Sequence, residues 1–232
     1  MTNLSRRNFV GSAAAGIAAL AAAPSSLPAQ LVDRTSDWAI SDFRHLLENS
    51  ARIKQVYDVS ALGGGKFLNN IKNSLNGIHF GFGFPMDQIQ VVAALHGPTN
   101  LMNYDDYVWK KYRIGEWLKV DDPKTGNPAT RNIFYSGQTP HFASKDPESE
   151  GSIYQNTSIE VLQSRGVRFL SCHTASEEQS RALIKRLNLS QTPDEIVKDW
   201  QAHTIPGVIV VASMVAAIAV LQCEGHYSYI TV

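Results

Sequence analysis

Apolar residues follow two rhythms along this chain. Runs rich in β-branched residues at 52–59 (RIKQVYDV), 88–95 (QIQVVAAL), 167–171, 208–211 and 227–232 predict five strands. Between them the period lengthens to that of a helix. Phe67, Leu68, Ile71, Leu75 and Ile78 line one face of a helix over 67–78, and further helices are expected over 37–49, 158–165, 177–188 and 193–202. A helix over 99–117 carries Tyr104, Tyr107, Trp109, Tyr112 and Trp117. Ser158 reads as a cap. Ser176 with Gln179, and Thr192 with Pro193 and Glu195, read as two helix starts.

The apolar run 205–223, IPGVIVVASMVAAIAVLQC, is long enough for a membrane span, but its texture argues otherwise. Pro206 and Gly207 open it, β-branched residues fill 208–211, and Ser213 is placed to cap an Ala-rich helix that ends at Gly225. That is a buried strand followed by a buried helix. Strands alternating with helical crossovers make an α/β fold, a three-layer α/β/α sandwich around a mainly parallel five-stranded sheet.

In open sheets of this kind ligands sit at the carboxyl ends of the strands, which directs attention to two places. GVRFLSCHT at 166–174 ends a strand on Cys172 and His173, with Thr174 following. The second strand runs into His96, Gly97 and Pro98 in the same layer. GGGK at 63–66 superficially resembles a phosphate loop but lacks its spacing and has Phe67 where a Ser or Thr should follow the Lys, so it reads as a turn into a helix. The stretch to residue 157, with Pro123, Gly126, Pro128, Gly137, Pro140 and Pro147, has no regular pattern. It reads either as a lid, binding loop or interface, or as a surface excursion.

Charge and the amino terminus set the compartment. Residues 1–29 join SRRNFV at 5–10 to an Ala-rich apolar run at 11–23, which looks like a twin-arginine signal peptide with cleavage expected after Ala29. The alternative is a retained N-terminal anchor helix. Removing 29 of 232 residues leaves 203, enough for one well-buried domain. Losing Arg6 and Arg7 from 21 basic side chains leaves 19 against 21 acidic, a net charge of −2, and no electrostatic case for nucleic acid or an anionic membrane.

HGP after a strand, GVRFLSC, PGVIVVAS and LQCEGHYSYI, in that order, together with FLNNIKNSL, resemble the DsrE/DsrF-like family of small sulfur-relay α/β proteins. The resemblance covers most of residues 52–232 apart from an aromatic insertion at about 103–157. It implies a homo-oligomer, a sulfur donor or acceptor protein as partner, and persulfide sulfur carried on the cysteine after the third strand, here Cys172. His173 and Thr174 depart from the commoner family pattern, and an exported member departs from the cytoplasmic relays.

The candidate chemistry centres on Cys172. At a strand's carboxyl end before a helix it is placed where helix-end dipoles and His173 lower a thiol pKa, and the thiolate is the form that passes sulfur. The competing reading is a packed, inert cysteine. His96 and His173 are candidate acids, bases or substrate-orienting groups, and His96, Cys172 and His173 are the one set of metal ligands worth testing. Gly97, Pro98, Thr174 and Ser213 complete the expected pocket. The cofactor stays open. Cys223 is expected in the core, too far from Cys172 for a disulfide. His141, His203 and His226 read as structural. Two functions therefore compete: a thiol or persulfide carrier, which needs an accessible Cys172, and an oligomeric binding or scaffold module without turnover. A metal-dependent redox accessory protein is the third class.

Overall fold

The computed structural model describes residues 38–138 and 141–232, so the expected twin-arginine signal and the cleavage expected after Ala29 lie outside the described residues. In chain order the elements are α1 (Ile40–Leu47), β1 (Ile53–Val59), α2 (Lys66–Asn76), β2 (Ile89–Leu95), a 3-10 segment (Gly97–Asn103), α3 (Asp106–Lys111) and α4 (Ile114–Leu118). They continue with α5 (Ile159–Ser164), β3 (Arg168–Cys172), α6 (His173–Leu187), α7 (Pro193–Ala202), β4 (Ile209–Val211), α8 (Met214–Cys223) and β5 (Ser228–Thr231).

The sheet is parallel throughout, in the order β4-β3-β2-β1-β5. That order dictates where the helices go. The steps from β1 to β4 all run in one direction across the sheet, so right-handed crossovers put their helices on one face; the return from β4 to β5 puts α8 on the other. Residue alternation agrees. Tyr57, Val59, Val91, Ala93, Leu95 and Phe169 point into the core under α2 and α5. Val56, Val92, Ala94, Leu170 and Cys172 point into the opposite core under α1 and α8. With both faces covered, β2 is buried at every position, which is why QIQVVAAL reads as a continuous rather than an alternating apolar run.

The helix expected over 99–117 is instead three short pieces. Gly97–Asn103 is a 3-10 turn, and Arg113 adopts the left-handed conformation between α3 and α4 at φ 53°. The breaks turn Tyr104, Trp109 and Tyr112 inward, where they form a third core cluster with Leu183, Ile196 and Trp200 of α6 and α7. The aromatic part of the insertion is thus core and not lid. Its closeness is extreme at Gly115, where an added Cβ would lie against the Ala129 backbone, with the nitrogen at 2.6 Å.

Local signals fare unequally. Thr192 and Glu195 make the expected reciprocal capping box. Ser158 and Ser213 occupy N-cap positions without making a side-chain cap, and Asn156 Oδ1 accepts from Ser158 N instead, at 2.8 Å. Ser176 and Gln179 do not start a helix, because α6 begins directly at His173 and holds both in its interior. GGGK forms a 3-10 turn of three left-handed glycines leading into α2. Both cysteines are free, and Cys223 is exposed, not core, because it lies on the outward side of α8. Among the described residues no helix is long and apolar enough to cross a membrane.

Candidate functional site

Where two neighbouring parallel strands send their connections to opposite faces, a crevice opens at their carboxyl ends. β3 and β4 are that pair, since α6 leaves β3 toward one face and α8 leaves β4 toward the other. Cys172, the last residue of β3, stands in the crevice. Its Sγ accepts a hydrogen bond from Ala175 N in the first turn of α6 at 3.4 Å and from Met214 N at the start of α8 at 3.3 Å. Two helix N-termini thus converge on one sulfur, an arrangement that favours negative charge there. Burial works against it. Cys172 is 5 % exposed. Desolvation pushes its thiol above the ordinary value, and the amides of Ala175, Met214 and Thr174 offset this only in part. Burial thus favours the neutral thiol over the thiolate, contrary to the expectation of a lowered pKa.

The main chain at Cys172 is held from behind by a buried polar network that sequence reasoning missed. Asn100 Oδ1 accepts from Cys172 N at 2.8 Å and from Ser171 Oγ at 3.0 Å, while its Nδ2 donates to Ser176 Oγ and Gln179 Oε1. Ser176 Oγ in turn donates to the Cys172 carbonyl at 3.0 Å and meets Tyr104 OH at 2.8 Å. A polar residue one turn after HGP carries no sequence signature of this role.

His96 and Cys172 share a face. Leu95 pairs with Ser171 in register, so the next residues on the two strands are neighbours, and alternation turns both side chains toward the α8 side. His96 nevertheless leans the other way. Its Nε2 lies 2.6 Å from Asp58 Oδ1, and Asp58 Oδ2 accepts from Tyr229 OH at 2.5 Å, so a hydrogen-bonded row Tyr229, Asp58, His96 crosses β5, β1 and β2 toward Cys172. Asp58 and Tyr229 escaped the sequence reading, which had no means of knowing that β5 returns to lie beside β1. No hydrogen bond joins His96 to Cys172.

The other expected residues divide. Thr174 is in the crevice, its N and Oγ1 both donating to the Ala212 carbonyl and tying the start of α6 to the β4–α8 turn. Ser213 lines an apolar cavity of about 210 Å³ between α1 and α8, walled by Trp38, Phe43, Val211 and Ala217. Its hydroxyl does not cap α8. His173 is buried edge-on against the Trp38 ring, with centroids 5.5 Å apart. Gly97 is left-handed, as its turn requires, and its carbonyl accepts from Gln179 Nε2, while Pro98 is exposed. His96, Cys172 and His173 do not assemble as metal ligands, and among the described residues no group of three His, Cys, Asp or Glu side chains does so. No family model, curated protein or solved structure matches the chain.

Proposed function

We propose that this is an exported DsrE/DsrF-like protein that carries sulfane sulfur on Cys172. The observation that supports the reading is the pair of helix-initiating amides, on Ala175 and Met214, that meet on the Cys172 sulfur in the switch-point crevice. In the transfer, the Cys172 sulfur attacks the outer sulfur of a donor R–S–SH. The donor S–S bond breaks as the new one forms, R–SH leaves with the proton the thiol gives up, and no oxidant or reductant is consumed. The two amides stabilise the anionic attacking sulfur and the anionic persulfide that follows. His96, held by Asp58 at the end of the neighbouring strand, is the candidate base: after a side-chain rotation toward Cys172 it takes the thiol proton and passes it to the leaving R–S⁻. Because the resting thiol is shielded, loading requires the crevice to open, which fits a donor or acceptor protein or a second subunit docking there.

A second reading is a binding or scaffold module without turnover, favoured by the burial of Cys172 and by the apolar cavity at Ser213. Intact mass after exposure to a sulfane-sulfur donor separates the two. The experiment belongs in a Cys223→Ser background, since the exposed Cys223 thiol would otherwise take up sulfur of its own. Gain of one sulfur by the folded protein, reversed by reductant and abolished by Cys172→Ser, is the expected result. If sulfur adds only after unfolding, Cys172 is a packed core residue and the binding module stands.

A further inference from the structure

The insertion and the α7–β4 connection border a second cavity, open to solvent and of about 460 Å³, remote in sequence from Cys172 and unused by the chemistry above. Asp105, Asp106, Tyr107, Tyr135 and His203 line it, and among the described residues no Lys or Arg does. We propose that this cavity binds a small organic cation, an ammonium group on a short apolar body.

The charge is arranged for it. Asp105 caps α3 with one oxygen, accepting from Tyr107 N and Val108 N, and takes His203 Nδ1 on the other at 3.0 Å. Asp106 accepts from Asn132 N through Oδ1 alone, which leaves its second oxygen open. Behind the wall, Glu160 Oε1 accepts from Ser136 N and Ser136 Oγ, and its Oε2 is buried without a partner. The Tyr135 side chain registers the sum: burial first, then the charges of Glu160, Asp105 and Asp106, raise its pKa. The nearest fixed cation, Lys111, is already committed to Asp199 Oδ2 and Tyr107 OH and does not line the cavity.

The walls are aromatic and preformed. Tyr107 stacks on His203 with centroids 3.9 Å apart, and its ring already has the Lys111 ammonium 5.0 Å from the centroid, so Tyr135 is the second ring of the wall that a ligand cation would meet. The Tyr104–Thr204 bridge and the Asp105 N to His203 carbonyl bond tie the two walls together, so little ordering is left for binding to drive. A carboxylate with an open oxygen beside an aromatic face recognises an ammonium by charge and by the ring quadrupole together.

Titration calorimetry of the purified full chain with choline, and with its neutral carbon isostere 3,3-dimethylbutan-1-ol, tests this. Choline should bind saturably at one site and roughly tenfold more tightly than the isostere, the difference being the cation–aromatic and ionic contribution. Asp106→Asn keeps the acceptor for Asn132 N and should weaken choline about fivefold with the melting temperature unchanged. Tyr135→Leu should weaken it comparably. Equal binding of the isostere, no saturable binding of choline, or an Asp106→Asn protein that binds as the wild type does would each overturn the proposal.

Discussion

Replacing Asn100 with Ala tests whether the back of the Cys172 site is held as described. Asn100 is fully buried, and its carboxamide makes four hydrogen bonds, two accepted and two donated. The losses are unequal. Ser171 Oγ can turn to Tyr104 OH, already 3.5 Å away, and Ser176 Oγ keeps its bond to the Cys172 carbonyl. Cys172 N has no such recourse among the described residues: Asn100 Oδ1 is its acceptor, and β2 has already ended at Leu95. An orphaned buried amide costs about 1–3 kcal/mol. The vacated carboxamide volume adds about 1 kcal/mol, on the scale for small cavities. A loss of about 2–4 kcal/mol is expected, a large part of the roughly 5–15 kcal/mol that a domain has. Urea unfolding followed by far-UV circular dichroism measures it, and an unchanged slope shows that the native state stays compact. A loss under about 0.5 kcal/mol, within the range of an ordinary surface change, refutes the claim that Asn100 holds the Cys172 backbone.

Three further outcomes follow from the same geometry. Gly115→Ala drives a methyl into the Ala129 backbone and should cost about 3 kcal/mol or more, read as a fall in melting temperature, since neither backbone can give way within the third core cluster. Because burial raises the Cys172 pKa, the unfolded thiol ionises first as pH rises through its ordinary value of about 8.5. The wild type should therefore lose stability relative to Cys172→Ala above that pH and match its pH dependence below it, and iodoacetamide should label Cys223 well before Cys172. Asp58→Asn removes the charge from the partly exposed His96 pair and should change stability by less than about 1 kcal/mol, while slowing sulfur loading of Cys172 if His96 is the base.

Sequence and structure agree where burial is one-sided or complete over many residues. QIQVVAAL, the Phe67–Leu75 stripe and the Thr192 capping box were legible because each is settled within a few residues of itself. The misreadings share a cause. Ser176 and Gln179 have the composition of a helix start, yet the Asn100 and Tyr104 side chains they bond come from more than 70 residues away. Cys223 sits in an apolar helix whose outward face no local pattern identifies, since every turn of α8 is apolar. The broken segment after His96 has aromatic spacing compatible with one helix, and only packing against Trp200 and Leu183 selects three.

The sequence by itself determined the class of fold, the five strands and the placement of Cys172 and His96 at strand ends, because the periods of burial and the turn residues are local quantities. The tertiary structure alone decided that β3 and β4 part their helices around Cys172, that Asp58 and Tyr229 stand in line with His96, and that the Cys172 thiol is shielded. Strand order and desolvation depend on residues far apart in the chain, and no window along it contains them.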